Sequence, residues 1–289
     1  MANRRVLVKR RKSVRNIRKI TRTMQLIATA RFQAAFNRAV ATRPYTEKLA
    51  ELVADLSRAA GDVDHPLLRT NEGVDRAALV VLTSDRGLAG GYNASVLRTA
   101  IGHLDEQPKG ITTDVHMVGK KGISYFRFLR RPVAEQTSGI GDRPRFDQVE
   151  PIANALIDRF VRGEIAAAHV AYMKFLSAGQ QKPVVVQLLP LQPQAKEGEE
   201  KKKPVEYEFS PDPQQLLDEL LPATVRIRLF QAFNDAAVSE QVARMVAMKA
   251  ATDAAQDMIK ALTREYNRAR QTQITMELLD IVGGANALS

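Results

Sequence analysis

The sequence predicts a mixed α/β fold in which two long helices, one towards each end of the chain, pair antiparallel around an α/β domain built between them. Three observations predict it. An apolar seam of helical period runs through the last third, a basic helical stretch fills the beginning, and short apolar runs alternate with helical segments between them.

The first region, residues 1–60, carries the charge. Thirteen Lys or Arg and no acid precede Pro44, and the first acid is Glu47. Ile17, Ile20, Met24 and Ile27 are spaced 3, 4, 3, which marks one helical face. Leu49, Leu52, Val53 and Leu56 renew the stripe. Pro44 is expected to kink or interrupt this helix, and Gly61 to stop it, giving a length of about 40 to 55 residues.

The middle, residues 74–207, reads differently. "ALVVLTSD" is a continuous apolar run followed by turn chemistry, as in a buried strand of a parallel sheet, and "DVHMVG", "AAAHVAYMKF" and "KPVVVQLLPL" read similarly. Helical segments fall at Ala94–His103, Lys120–Leu129 and Asp147–Arg162. That alternation predicts a small Rossmann-like α/β domain. The charge-dense "QAKEGEEKKKPVEYEF" reads as a solvated loop leading to a last extended piece.

The third region, residues 213–289, holds the seam. Positions 238, 241, 245, 248, 252, 255, 259, 262, 266, 269, 273 and 276 alternate steps of three and four, and most are apolar or aromatic. That is a coiled-coil pattern, and a helix of about 60 residues would be roughly 90 Å long. Its natural partner is the other long helix. Past Arg270 only Glu277 and Asp280 are charged, so the last turns present Ile274, Leu278, Ile281, Val282 and Leu288 with nothing after them to cover them. Gly283 and Gly284 read as a helix stop.

Composition narrows the chemistry. The 289 residues include no Cys, which excludes disulfides and thiolate metal sites, and no apolar run is long enough to span a membrane. His65, His103, His116 and His169 show no metal-ligand spacing. "SDRGLAGGYN", Ser84 to Asn93, sits where a phosphate loop would, but it matches neither phosphate-binding frame and has no lysine to reach a phosphate. A tight turn with packing glycines is the better reading, and "VGKKG" at Val118–Gly122 has the same status. No catalytic, cofactor-binding or metal-binding residue is assigned. A net charge of +11 concentrated at one end calls for an anionic partner, either nucleic acid or an acidic protein surface.

Five segments together resemble the gamma subunit of F-type ATP synthase: "IRKITRTMQLIATAR", "SDRGLAGGYN", "SEQVARMVAMKAAT", "YNRARQ" and the terminal "ITMELLDIVGGANA". The resemblance covers essentially the whole chain, in order. It implies a central rotor shaft that is non-catalytic itself and couples proton (or sodium) flow through the membrane sector to ATP synthesis or hydrolysis at alpha–beta sites. It implies three alpha and three beta subunits, epsilon and the membrane c-ring as partners, no nucleic acid, and membrane association only through the complex. By matched position Arg22, Met24, Arg244, Arg270, Gln271, Thr275 and Glu277 are expected to meet the beta subunit. Ile274, Leu278, Ile281, Val282 and Leu288 are expected to turn as a bearing tip. The absence of Cys excludes the thiol switch of chloroplast-type members. The short lead into the first helix leaves little room for a transit peptide, so the expected location is peripheral, on the cytoplasmic side of a bacterial inner membrane. A basic coiled-coil nucleic-acid-binding protein is the alternative.

Overall fold

A computed structural model describes residues 4–59, 65–108, 110–191 and 213–288. Ten elements follow one another: α1 (Arg4–Ala59), β1 (Arg76–Leu82), α2 (Tyr92–Asp105), β2 (Thr112–Val118), α3 (Lys120–Phe128), β3 (Glu135–Thr137), α4 (Phe146–Val161), β4 (Ala167–Ser177), β5 (Gln180–Leu189) and α5 (Pro213–Leu288). The charge-dense segment at 194–209 lies outside the described residues. Two compact units are distinguished, Met1–Thr29 with Arg244–Ser289, and Ala30–Ala243. Both long helices contribute to both.

In the larger unit one five-stranded sheet has the order β3-β2-β1-β4-β5. Side chains of a strand point alternately to its two faces, and the core divides accordingly. Ala78, Val80 and Leu82 of β1 join Ala168, Val170 and Tyr172 of β4 against α4 and the 217–236 stretch of α5. Leu79 and Val81, with Ala171 and Met173, face Val96, Leu97 and Ala100 of α2 and Phe126 of α3. Strands β1, β2 and β4 run parallel, as their continuous apolar runs predict, and β3 joins them parallel to β2. The run "KPVVVQLLPL" departs from that expectation: β5 returns antiparallel to β4, because only two residues, Ala178 and Gly179, separate Ser177 from Gln180 and a parallel crossover needs a dozen or more. Strand β3 was not legible; "EQT" has no apolar run and holds its place by pairing with β2.

Glycines fix the loops above the sheet. The turn after β1 is tight as expected, with Leu88 and Gly90 at positive φ. The packing glycines, however, are Gly119 and Gly122 of "VGKKG". A Cβ on Gly119 would lie 2.1 Å from the Thr83 carbonyl oxygen, and one on Gly122 would lie 2.3 Å from Met117 Sδ.

Helix α1 runs unbroken through Pro44. The missing N–H and the ring clash normally end a helix. Here tertiary bonds hold the turn just before the proline: Thr42 Oγ1 donates to Gln231 Oε1 at 2.9 Å, and Arg43 Nη2 to the Phe175 carbonyl at 3.3 Å. Gly283 and Gly284 likewise do not stop α5, which continues to Leu288. A glycine stop needs the left-handed backbone, and Gly283 is not among the glycines at positive φ.

The four histidines are not all scattered. His103 of α2 and His169 of β4 meet with ring centroids 4.8 Å apart, and Gln107 Nε2 contacts His103 Nε2 at 3.0 Å. Among the described residues no group of three metal-ligating side chains forms. Burial, aided by the neighbouring His103, lowers the His169 pKa to about 4. A base that is harder to protonate when folded binds more protons when unfolded, so stability is fully present above pH 6.5 and is lost as pH falls towards 4. Urea midpoints should therefore drop between those values, and His169→Phe should flatten the slope. An unchanged slope in the variant would remove His169 as its source.

Candidate partner-binding surface

The long helices meet through small and polar side chains. In the smaller unit Arg18 Nη1 donates to Gln256 Oε1. Thr252 Oγ1 donates to Thr21 Oγ1 at 2.8 Å, and the Arg11 guanidinium lies 5.0 Å from the Tyr266 ring centroid. Partner numbers on α5 fall as those on α1 rise, so the two run antiparallel. The same holds in the larger unit, where Ala35 and Ala39 pack with Val238, Val242 and Phe175.

The predicted seam of α5 is the one that packs as far as Ala269, while its last two positions, Gln273 and Met276, are exposed. Val238, Gln241, Met248, Ala255 and Ile259 are buried, and Met245, Thr252, Leu262, Tyr266 and Ala269 are half-buried. On α1 the prediction is corrected by one residue. Ile17, Ile20 and Ile27 are 52%, 59% and 48% exposed. The inward face is instead Arg18, Thr21, Gln25 and Ala28, part of a heptad series from Leu7 through Val14, Ala35, Thr42 and Leu49 to Leu56, with none of its members exposed. One residue is about 100° of helix rotation, enough to turn the isoleucines outward. Alanine at 28, 35 and 39 lets the backbones approach, and a hydropathy stripe cannot see that.

The descending register carries Arg4 to within a turn of Arg270, and the rest of α5 has no α1 residue beside it among the described residues. At 1.5 Å per residue, Gln271 to Leu288 extends about 27 Å. Ile274, Met276, Leu278, Leu279, Ile281 and Val282 are 48–68% exposed there. Gln271, Thr275 and Glu277 share this stretch: Thr275 Oγ1 donates to the Gln271 carbonyl at 3.0 Å, and Glu277 accepts from Gln273 Nε2 at 2.8 Å. Arg270 is exposed. The side chain of Leu288 lies outside the described residues.

The candidates on α1 form a second group. Arg22 is exposed and donates to Gln25 Oε1 at 3.1 Å, while Met24 is half-buried. Arg244 differs from both. It is only 9% exposed and is engaged within the chain, so it is not an open contact surface. Around Arg22, the residues Lys9, Arg10, Lys12, Arg15 and Lys19 are exposed and have no acidic partner among the described residues. With the outward isoleucines they make a basic face studded with apolar side chains.

The α/β domain keeps its own anion at the carboxyl edge of its sheet, beside the N-terminus of α3. Open α/β sheets bind ligands beyond the carboxyl ends of their strands, at the switch in strand order, here between β1 and β4. Asp85 lies at the carboxyl edge of the sheet on the β1–β2–β3 side of that switch. Its Oδ1 accepts from the backbone N–H of Lys120, the first residue of α3, at 3.1 Å, and its Oδ2 accepts from the Gly139 N–H at 2.9 Å. Ser84 and Asn93 bond to each other across the turn. The crevice is closed further by Phe233, Ala236, Ala237 and Glu240 of α5, leaving a cavity of about 30 Å³. The turn is thus satisfied internally.

Two long antiparallel helices, one with an apolar end that has no α1 residue beside it among the described residues, and an inserted α/β domain whose α3 N-terminus is bonded by its own Asp85 define a coiled-coil assembly subunit. The ATP synthase family profile matches residues 3–288. An ATP synthase gamma chain of Rhodopirellula baltica is 46% identical over 295 residues, covering 100% of this chain and 99% of the other. One of Frankia casuarinae is 42% identical over 97% and 96% of the two chains. The chain belongs to the ATP synthase gamma-chain family. Its fold matches a chain from the Euglena gracilis mitochondrial ATP synthase OSCP/F1/c-ring with a TM-score of 0.67 at 17% identity, over 99% of this chain and 94% of that one. A central stalk and c-ring structure from Tetrahymena thermophila gives 0.59 at 18% identity, over 80% and 99%. These relatives set aside the nucleic-acid-binding alternative.

Proposed function

We propose that this chain is the central rotor shaft of an F-type ATP synthase, coupling ion flow through the membrane sector to ATP synthesis or hydrolysis at alpha–beta catalytic sites and performing no catalysis itself. Full-length identity to gamma chains carries the reading. Residues 1–60 and 213–289 act as its coiled-coil parts and residues 74–207 as its α/β domain. The unpaired end of α5 supplies what a shaft needs at its bearing. Ile274, Leu278, Ile281 and Val282 project without charge, so the contacts broken at each step are short-ranged and non-directional.

The surrounding subunits are three alpha and three beta. Basic side chains of α1, Arg22 among them, meet acidic surface of beta, and screening over about 8 Å at physiological salt confines that attraction to near contact. Met24 adds apolar contact beside it, and Arg244 acts from within the helix pair by holding its neighbours in place. Arg270, Gln271, Thr275 and Glu277 bond to beta close to the tip. The α/β domain binds epsilon and the c-ring, which hold the chain at the cytoplasmic face of a bacterial inner membrane. No helix of the described residues is long and apolar enough to cross it.

Arg270→Ala is expected to lower ATP-driven ion pumping about tenfold, the scale of one charge-assisted hydrogen bond, while helicity of the chain is unchanged. Wild-type pumping by the variant complex would remove Arg270 from the coupling. The reading as a whole is tested by pulling the chain from detergent-solubilised membranes. Alpha, beta, epsilon and the c-ring subunit should come with it, and recovery without alpha and beta would end the rotor assignment.

A further inference from the structure

Within the larger unit a cavity of about 120 Å³ opens between α1 and the loop that follows β3, lined by Ala30, Arg31, Ala34, Arg38, Asp142 and Arg143. One water needs roughly 10–15 Å³ of such space, so the cavity has room for a group larger than one water. Its walls are built with purpose. Ala30 and Ala34 keep one side low, and Gly139 and Gly141, both at positive φ, turn the loop back onto α1. Arg31 Nη1 donates to Asp142 Oδ2 at 2.8 Å, and Arg38 Nη2 to the Asp142 carbonyl at 3.0 Å.

The charges there do not balance. Three guanidinium groups line the cavity against the single carboxylate of Asp142. Arg38 Nε is buried and has no acceptor, although a buried N–H is costly to leave unmatched. Arg143 is exposed and makes no ion pair among the described residues. A planar fork of N–H donors fits the oxygens of a phosphoryl or carboxyl group, and several forks at one site favour the more highly charged phosphoryl group.

We propose that this cavity binds a tetrahedral oxyanion, a phosphoryl group in contact with Arg38 and Arg143 and flanked by Arg31. The proposal is independent of the rotor reading, because neither residue belongs to the paired seam or to the unpaired end of α5. Such an anion would complete the bonding of the buried guanidinium and tie the loop after β3 to α1.

Titration calorimetry on the full-length chain tests it, using inorganic phosphate, ADP, acetate and chloride at matched ionic strength. Saturable binding of phosphate at one site per chain is expected, with acetate and chloride giving none. Arg143→Gln should weaken it by about tenfold or more, and Arg38→Gln similarly. Because Arg38 also tethers the loop, the solvent-exposed Arg143 variant carries the test if Arg38→Gln fails to fold. Arg127→Gln, on α3 and remote from the cavity lining, should leave binding unchanged. Tighter binding of ADP than of phosphate would assign the group to the end of a nucleotide, and equal or weaker binding would assign it to free phosphate; either result upholds the site. No heat from phosphate or ADP, equal heat from acetate or chloride, or undiminished affinity in Arg143→Gln would overturn it.

Discussion

Gly119→Ala should destabilise the α/β domain by about 3–5 kcal/mol, the sum of a strained backbone and an overpacked contact. Gly119 joins β2 to α3 at φ +95, and an added Cβ would stand 2.1 Å from the carbonyl oxygen of Thr83 and 2.6 Å from its carbonyl carbon. The obstacle is backbone directly after β1 and bonded to the end of β2: Thr83 N–H donates to the Val118 carbonyl at 2.8 Å, and Thr83 Oγ1 accepts from the Gly122 N–H at 3.0 Å. Moving Thr83 would therefore loosen the β1–β2 register and the start of α3 together. Urea unfolding followed by circular dichroism measures the effect. A loss under about 1 kcal/mol, the scale of an ordinary surface substitution, would show that the turn relaxes freely.

Val238→Asp should cost a similar amount, by a different route. Val238 is fully buried among Ala35, Ala39, Phe175 and Val242, where the two long helices meet β4. A carboxylate there has no cation to pair with in its apolar cluster, and an uncompensated buried charge costs about 3–5 kcal/mol. Asp235, one turn earlier, already has its pKa raised by burial. The new carboxyl would be raised as well, so its folded-state pKa exceeds the unfolded one and the penalty grows as pH rises. Unfolding at pH 5 and pH 8 separates this from simple loss of volume. The aspartate variant should be less impaired at the lower pH, whereas Val238→Asn should show no such dependence. Equal penalties at both values for Val238→Asp would mean that the site admits water.

Local pattern carried a good part of this protein. The strands β1, β2 and β4 stood out because both of their faces are buried, which leaves an unbroken apolar run. The α5 seam stood out because its large side chains, Met248, Ile259, Leu262 and Tyr266 among them, do face inward. The partner seam on α1 did not, since its inward positions are Arg11, Arg18, Thr21, Gln25 and Ala28 while Ile17, Ile20 and Ile27 face outward. A stripe of hydropathy records what is greasy, not what is covered, and on a subunit with partners the two need not coincide. The candidate site was legible only through motif resemblance: nothing in the spacing of Arg270, Gln271, Thr275 and Glu277 marks a contact surface. Neither the His103–His169 pair nor the cavity bounded by Arg31, Arg38 and Arg143 has a sequence signal, because their members come from elements far apart in the chain.

By itself, then, the sequence determined that two long helices flank an α/β domain and that the far end of α5 lacks charge, because helical and strand periods are written in neighbouring residues. The tertiary structure decided which face of α1 turns inward, that β5 runs antiparallel, that helices pass through Pro44 and Gly283, and that Asp85 fills the anion position at α3. Each of those outcomes depends on groups brought together from distant positions, where close approach of small side chains, backbone hydrogen bonds and loop length outweigh local preference.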